Sequence, residues 1–115
     1  ENQLLLDRNA ALEHVQGDEE FLEEIYQIFL EEIPGRKKEF EKALEKNDIS
    51  PVVGLAHSLK GVSLTIGAMS CHKTSLDLEM AAREEDEKKV KELYVQLEGI
   101  LDRLEQTLTE MFSSD

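Results

Sequence analysis

The residue of this sequence best suited to chemistry is His57, because its neighbours on a helix would leave it open to a reaction partner. Gly54 lies three residues before it, Gly61 four residues after it, and Lys60 three residues after it. Residues three or four apart share a face of a helix. A neutral imidazole nitrogen is a nucleophile that can attack a phosphoryl donor. A lysine ammonium at this spacing would attract and partly neutralise a phosphoryl group carried by the ring.

The helix predicted to carry His57 begins at Ser50-Pro51, an N-cap followed by a proline in the first turn, and ends near Gly67. Its apolar stripe, predicted to face the core, consists of Val52, Leu55, Leu59, Val62 and Ile66. His57 falls on the opposite side of the helical wheel, so we expect it to point into solvent. We predict that the outer face of this helix is a surface on which a partner protein docks. It consists of Val53, Gly54, Ser58, Gly61 and Leu64.

The two glycines on this outer face need a reason, since glycine inside a helix costs about 1 kcal/mol relative to alanine. No packing reason is evident for Gly54 and Gly61 on a solvent-facing surface. Their effect would be to remove side chains from around the imidazole, so that the surface of another protein can come close. A solvated histidine without chemistry is the alternative, and the spacing alone leaves that alternative open.

Helical periodicity dominates the rest of the chain, and no β-type alternation is present. The predicted helices span about 7–16, 18–33, 36–46, 50–66, 68–83 and 87–112, with Pro34-Gly35 separating the second from the third. Short connections between amphipathic helices favour antiparallel neighbours. We therefore expect an all-α fold: an up-down four-helix bundle with one or two short extra helices at its N-terminal end. It would form a single domain over 1–115, with its core at about 6–112.

Two of these helices have apolar stripes that predict their buried faces. The stripe of the second helix consists of Phe21, Leu22, Ile25, Ile28, Phe29 and Ile33. The stripe of the last helix consists of Val90, Leu93, Leu97, Ile100, Leu101, Leu104, Leu108 and Met111. Because the last stripe is heptad-like, we expect it to form core, with dimerisation through it as the alternative.

The composition disfavours several kinds of partner. The chain has 115 residues, 26 Asp and Glu against 13 Lys and Arg, and a net charge of -13. Nucleic acids and anionic membranes attract clustered Lys and Arg, so neither is an expected partner. No stretch approaches the roughly 20 apolar residues of a membrane span, and no signal peptide is visible. Because the chain begins with Glu1 and not Met, we expect it to be an excised or processed part of a protein.

Cys71 and the other two histidines carry weaker signals. A single cysteine can form neither an intramolecular disulfide nor a Cys-based zinc site, which favours a reducing compartment, the cytoplasm. We expect Cys71 to be a half-buried apolar residue, His14 to lie at a helix C-terminus, and His72 to form a hydrogen bond at a core boundary. Carboxylate-bridged metal sites in bundles need Glu-x-x-His on two helices. No metal is expected, since the residues three before the histidines are Ala11, Gly54 and Met69.

The run HSLKG at 57–61, followed by IGA at 66–68, resembles the signature of histidine-containing phosphotransfer (HPt) domains. Asp48, Ala56 and the segment LDLE at 76–79 stand where such domains have similar residues, and the resemblance covers about 6–112. The sequence departs from the family at Cys71-His72, a turn position where aliphatic residues are more common, and at 84–87, which lacks the usual Gly-Asp.

The resemblance implies a helical bundle that relays phosphoryl groups in two-component signalling. In the family, the histidine matching His57 takes a phosphoryl group from an aspartyl phosphate of a receiver domain and passes it to the Asp of another receiver. By the same match, Lys60 lies beside the phosphoryl group and Gly61 leaves room for the receiver. Gly67 and Ala68 close the helix and allow tight packing.

The implied partners are response-regulator receiver domains and could include a hybrid sensor histidine kinase. We expect a monomer without a cofactor of its own, the receiver supplying Mg²⁺. No Gly-rich phosphate loop or nucleotide site is evident, so the domain is not expected to be a kinase itself. Two alternatives stand beside this one: the phosphoryl-accepting domain of a chemotaxis-type kinase, whose donor is ATP on a separate domain, and a scaffold or dimerisation bundle without chemistry.

Overall fold

The computed structural model of the chain describes residues 5–113. A short helix, α1 (Arg8–His14), precedes four longer ones: α2 (Glu19–Glu45), α3 (Ser50–Ile66), α4 (Met69–Arg83) and α5 (Glu87–Phe112). No strand occurs between residues 5 and 113. The predicted all-α class is therefore confirmed.

The four longer helices close into a ring. Helix α3 packs between α2 and α4, and α5 packs between α4 and α2. The connections at 46–49, 67–68 and 84–86 are short, so successive helices run antiparallel. Helices α2 and α5 are antiparallel as well, because Lys91 reaches Asn47 while Tyr94 reaches the carbonyl of Lys37. The predicted up-down four-helix bundle is confirmed, and α1 packs on α2 and α3.

Aspartates begin three of the helices as N-caps. The side chain of Asp7 accepts from the backbone N–H of Ala10, that of Asp18 from Phe21, and that of Asp86 from Lys89. Each carboxylate satisfies an N–H that has no partner within its helix. Helix α3 differs from the prediction by one residue. Ile49 occupies the cap position, Ser50 is the first helical residue, and the carboxylate of Asp48 accepts from both the N–H and the hydroxyl of Ser50.

Pro34 does not end a helix, so the predicted break between 33 and 36 is wrong. Helix α2 continues through Pro34 for 27 residues in all. A proline inside a helix costs about 3 kcal/mol, but one buried stripe extends on both sides of it: Leu22, Tyr26, Phe29, Ile33, Phe40 and Ala43. Full burial of one large apolar side chain contributes about 1.5–3 kcal/mol, so the residues on either side together outweigh the proline.

The sequence pattern did not indicate one continuous stripe, because two cationic residues occupy the turn after Pro34. Arg36 pairs with Glu32 of the same helix at 3.0 Å. Lys37 pairs with Asp102 of α5. Both side chains are only 20% exposed, so they cover apolar surface with their stems while their charged ends are paired.

Several residues assigned to the apolar stripes lie outside the core. Phe21 is 49% exposed and Ile28 is 55% exposed on α2, and Met111 is 36% exposed near the end of α5. The other residues predicted for the α5 stripe are buried except Leu93, which is half-buried, and Tyr94 is buried with them. No helix in the range 5–113 is long and apolar enough to cross a membrane.

Gly67 lies where the residue before α1 contacts the end of α3. It ends α3 with a left-handed backbone, φ 77°, and its carbonyl accepts from the N–H of Asp7 at 2.8 Å. A Cβ on Gly67 would lie 2.2 Å from the carbonyl oxygen of Asp7. Only glycine can adopt this left-handed backbone without strain and also leave room for the carbonyl oxygen of Asp7. The next residue, Ala68, is fully buried and donates its N–H to the carbonyl of Ser63.

We predict that Gly67→Ala lowers the free energy of unfolding by at least about 2 kcal/mol, since a left-handed alanine alone costs roughly 1–2 kcal/mol and the contact with Asp7 is lost in addition. Urea denaturation measures this change. The matched control is Gly99→Ala, at an open helical position of α5, which we expect to stabilise the protein by about 0.5–1 kcal/mol. Equal stability of the two variants would contradict the role given to Gly67.

Candidate functional site

His57 lies on the outer face of α3, with its side chain 64% exposed. Its Nδ1 is 3.2 Å from Oε2 of Glu79, which reaches across from α4. A carboxylate can only accept, so this hydrogen bond requires a hydrogen on Nδ1. In the neutral ring, the lone pair then belongs to Nε2.

Glu79 is the buried centre of this site, and its side chain is only 6% exposed. Its Oε1 lies 2.8 Å from the ammonium of Lys60, and its Oε2 lies 2.8 Å from the guanidinium of Arg83. Hydrogen bonds from Lys60 and then Arg83 lower the pKa of Glu79 to about 2, against the effect of burial, and His57 adds a smaller contribution in the same direction. The carboxylate is therefore ionised throughout the physiological pH range.

Two cations accordingly bind the same carboxylate as the imidazole. The side chain of Lys60 is 24% exposed, and that of Arg83 is 60% exposed. With the carboxylate of Glu79 between them, the three charged groups sum to one positive charge. An anionic group carried by His57 would meet this net positive charge, although the whole chain has a net charge of -13.

The surface around His57 is open. A Cβ built on Gly54 or on Gly61 would meet no heavy atom within 4 Å. Ser58 is exposed on the α2 side of His57, where its hydroxyl accepts from Arg36 at 3.3 Å. Of the two apolar residues predicted for the docking surface, Leu64 is 43% exposed and Val53 is half-buried.

The core face of α3 is turned slightly from the predicted one. Its buried residues are Val52, Ala56, Leu59, Ser63 and Ile66, while Leu55 and Val62 are only half-buried. The difference arises in part because the buried face includes Ser63, which packs against α4. The hydroxyl of Ser63 lies 3.0 Å from the sulfur of Cys71, which is fully buried in the first turn of α4.

Cys71 is therefore fully buried, whereas half-burial was predicted for it. Burial raises the pKa of the Cys71 thiol, despite opposing hydrogen bonds from Ser63 and Ser75. A protonated, fully buried thiol is a poor nucleophile, so Cys71 belongs to the packing between α3 and α4.

The other two histidines hold neighbouring helices to α3. The Nδ1 of His72 donates to the carbonyl of Lys60 at 3.0 Å, which is the boundary hydrogen bond expected for it. The Nδ1 of His14, in the last turn of α1, donates to the carbonyl of Thr65 at 3.1 Å. In the part of the chain that the structure describes, no group of three His, Cys, Asp or Glu side chains could hold a metal ion.

Helix α4 contributes site residues that the sequence analysis missed. Glu79 and Arg83 bind each other one turn apart and complete the charged cluster. Leu76, 36% exposed, and Met80, 51% exposed, add apolar surface on the same helix. The spacing of 76, 79, 80 and 83 places these residues on one side of α4. That spacing was readable from the sequence, but the pairing of this side with His57 depends on how α3 and α4 pack.

Comparison with known proteins identifies the family. The family model for the Hpt domain matches residues 24–107, so the chain belongs to the Hpt domain family. The crystal structure of the HPT domain from a sensor hybrid histidine kinase of Shewanella is similar, with a TM-score of 0.88 and 18% sequence identity over 96% of each chain. At that identity, the likeness shows the fold. No curated protein sequence matches the chain.

Membership of the Hpt domain family supports a general role as a phosphotransfer carrier in two-component signalling.

The lowered pKa of Glu79 gives the stability of the fold a defined pH dependence. A carboxyl group whose pKa falls on folding stabilises the folded protein when the pH is above the ordinary pKa, here 4.5. This stabilisation is lost as the pH falls towards about 2. At 1.36 kcal/mol per pKa unit, the contribution is about 3 kcal/mol. We predict that Glu79→Gln is less stable than the unmodified protein by about this amount at neutral pH, and that the difference shrinks between pH 4.5 and 2.

Urea denaturation over that pH range measures this difference. The control is Asp77→Asn, which removes a half-exposed carboxylate of the same helix that pairs with Lys73 at 3.7 Å. We expect this control to follow the unmodified protein within about 0.5 kcal/mol. A constant difference between the Glu79→Gln and unmodified proteins down to low pH would contradict the prediction.

Proposed function

We propose that this domain is a phosphorelay carrier in which His57 accepts a phosphoryl group from the aspartyl phosphate of one receiver domain and passes it to the Asp of another. The observation that carries the proposal is the exposed imidazole of His57, whose Nδ1 is held 3.2 Å from a buried carboxylate beside the ammonium of Lys60. A surface histidine without a function needs neither the carboxylate nor the cation.

The transfer requires little from this domain beyond positioning of the imidazole and electrostatic stabilisation of the phosphoryl group. In the first transfer, the lone pair of Nε2 attacks phosphorus, and the bond from phosphorus to the aspartyl oxygen breaks. We assign to Lys60 the partial neutralisation of the negative charge on the phosphoryl oxygens. The Mg²⁺ and the acidic pocket of the reaction are assigned to the receiver. Phosphoryl transfer depends mostly on positioning and electrostatic stabilisation, which suits a site with few parts.

The surface around His57 supports docking of another protein. We define the docking surface as Val53, Gly54, Ser58, Gly61, Leu64, Leu76 and Met80. Its apolar side chains lie on α3 and α4, and the two glycines leave the approach to the imidazole open. A receiver domain would bring apolar residues onto this surface and its negatively charged phosphorylation site onto the cations. We take the domain to act as a monomer in the cytoplasm, with receivers and a hybrid sensor kinase as its partners.

We predict that label moves from a receiver prephosphorylated with radioactive phosphate to the unmodified domain but not to His57→Gln. The acquired label should be labile in acid and stable in alkali, as a phosphohistidine is. The matched control is His14→Gln, which removes another exposed histidine and should accept label normally. Label on His57→Gln, or no transfer to the folded domain from any of several receivers, would overturn the proposed function.

A bulky side chain at Gly61 should block docking without harming the fold. Both Gly61 and Gly99 are helical, and a Cβ on either would meet nothing within 4 Å. We predict that Gly61→Gln and Gly99→Gln each gain about 0.5–1 kcal/mol of stability from helix propensity. Gly61→Gln should slow transfer from the receiver at least about tenfold, which corresponds to a clash of about 1.4 kcal/mol in the transition state. Gly99→Gln should leave the rate unchanged.

Transfer rates from one receiver to the two variants measure this difference, with denaturation curves to verify the gain in stability. An unimpaired rate for Gly61→Gln would remove the argument that glycine at this position clears the approach to His57.

A further inference from the structure

We propose that His72 is a positioning residue for the phosphoryl chemistry of this domain, because it holds the peptide unit that joins Lys60 to Gly61. The inference rests on the proposed function, since it concerns the backbone that carries the residues assigned to that function. It arises from one hydrogen bond between neighbouring helices. The Nδ1 of His72, in the first turn of α4, donates to the carbonyl of Lys60 in α3 at 3.0 Å.

Two glycines weaken the stretch of α3 that carries the reacting groups. Gly54 and Gly61 lie on either side of His57, and each costs a helix interior about 1 kcal/mol relative to alanine. A Cβ on either glycine would meet no heavy atom within 4 Å. The open space that clears the approach to the imidazole therefore leaves this backbone without packing on its outer side. Segments with few packing contacts open locally at a lower free energy than the rest of a fold.

His72 restrains this backbone from the neighbouring helix. The carbonyl of Lys60 belongs to the peptide unit whose nitrogen is that of Gly61, so a donor on this carbonyl acts directly beside the glycine. A carbonyl can only accept, so the neutral ring of His72 carries its hydrogen on Nδ1. The carbonyl of Gly61 accepts from the hydroxyl of Thr65 at 3.2 Å, but that contact lies within α3 and does not tie it to another helix.

The surroundings of His72 make it a firm anchor. Its own N–H donates to the carbonyl of Ala68 at 2.9 Å, and both Ala68 and the adjacent Cys71 are fully buried. The imidazole is half-buried, and shielding from water strengthens a hydrogen bond. Cys71 and His72 are also the positions at which the sequence departs from the pattern of the family. The restraint is thus a feature of this chain.

Lys60 is thereby held at both ends by α4. Its carbonyl binds His72, and its ammonium lies 2.8 Å from Glu79, which is about two turns further along the helix. The backbone contact fixes the point from which the lysine side chain extends. A backbone free to move there would change the distance from the ammonium to phosphoryl oxygens on His57, and phosphoryl transfer depends on such positioning.

The test compares two histidines that form the same kind of hydrogen bond to α3. His72→Leu removes the donor to Lys60, and His14→Leu removes the donor to the carbonyl of Thr65 at 3.1 Å. His72→Asn is the rescue variant, because its amide nitrogen can take the place of Nδ1. For each variant of the whole domain, we would measure urea denaturation, hydrogen exchange of the backbone amides, and the rate at which phosphoramidate phosphorylates His57. This small-molecule donor needs no docking.

We expect the effects of His72→Leu to centre on the held peptide. Exchange at the amides of Gly61 and of Leu64, whose N–H meets the Lys60 carbonyl within the helix, should accelerate about fivefold, as for the loss of one hydrogen bond. Phosphorylation by phosphoramidate should slow by about the same factor. His14→Leu should leave both rates unchanged, and His72→Asn should restore both to within about twofold.

Gly61→Ala gives a second measure of the same restraint. Alanine restores the helical preference that glycine lacks, and its Cβ would meet no neighbour. Because the restraint is then less needed, adding His72→Leu to Gly61→Ala should slow phosphorylation by less than about twofold. A merely structural role for His72 would lower the stability of His72→Leu without changing the phosphorylation rate of the folded protein.

Unchanged exchange and phosphorylation in folded His72→Leu would overturn this inference and leave the proposed function standing. An equal slowing in His14→Leu, or an equal effect of His72→Leu with and without Gly61→Ala, would do the same. A folded, unmodified domain that acquires no phosphoryl group at His57 from phosphoramidate or from any receiver would overturn both.

Discussion

The site depends on three contacts of the Glu79 carboxylate: hydrogen bonds from His57 and Arg83, and an ion pair with Lys60. Removing a carboxylate from water costs several kcal/mol unless the charge is paired. Here contacts with two cations and an imidazole offset that cost, and these groups come from both α3 and α4. The same contacts fix how far α4 is shifted along α3. Because His57 and Lys60 both bind the carboxylate, the register of the two helices also sets the geometry of the functional groups.

The packing beneath this cluster supports the same register. Small residues let the two helices approach closely, and the hydroxyl of Ser63 meets the sulfur of Cys71 at 3.0 Å. His72, the residue after Cys71, donates to the carbonyl of Lys60. A shift of α4 by one turn would break these contacts together with those of Glu79. The site is therefore built on rigid helices, which suits a carrier whose partner must find the imidazole in one place.

Much of this arrangement could be predicted from the sequence. The exposed position of His57 follows from its place opposite the apolar stripe, and the ends of α3 follow from Pro51 and Gly67. The continuity of α2 did not follow, because local signals at Pro34 compete with burial of residues far apart along the helix. Glu79 could not be assigned to His57 either, since helical periodicity gives the face on which a residue lies but not the register of the facing helix.

The most direct test of the account is to find which histidine nitrogen carries the phosphoryl group. The chain has three histidines, and in each of them Nδ1 is engaged with an acceptor. Phosphorus and nitrogen NMR of the domain phosphorylated by a receiver would show the coupling of phosphorus to one ring nitrogen. We expect coupling to Nε2 of His57, with His14 and His72 unmodified. Coupling to either of those residues, or to Nδ1 of His57, would contradict it.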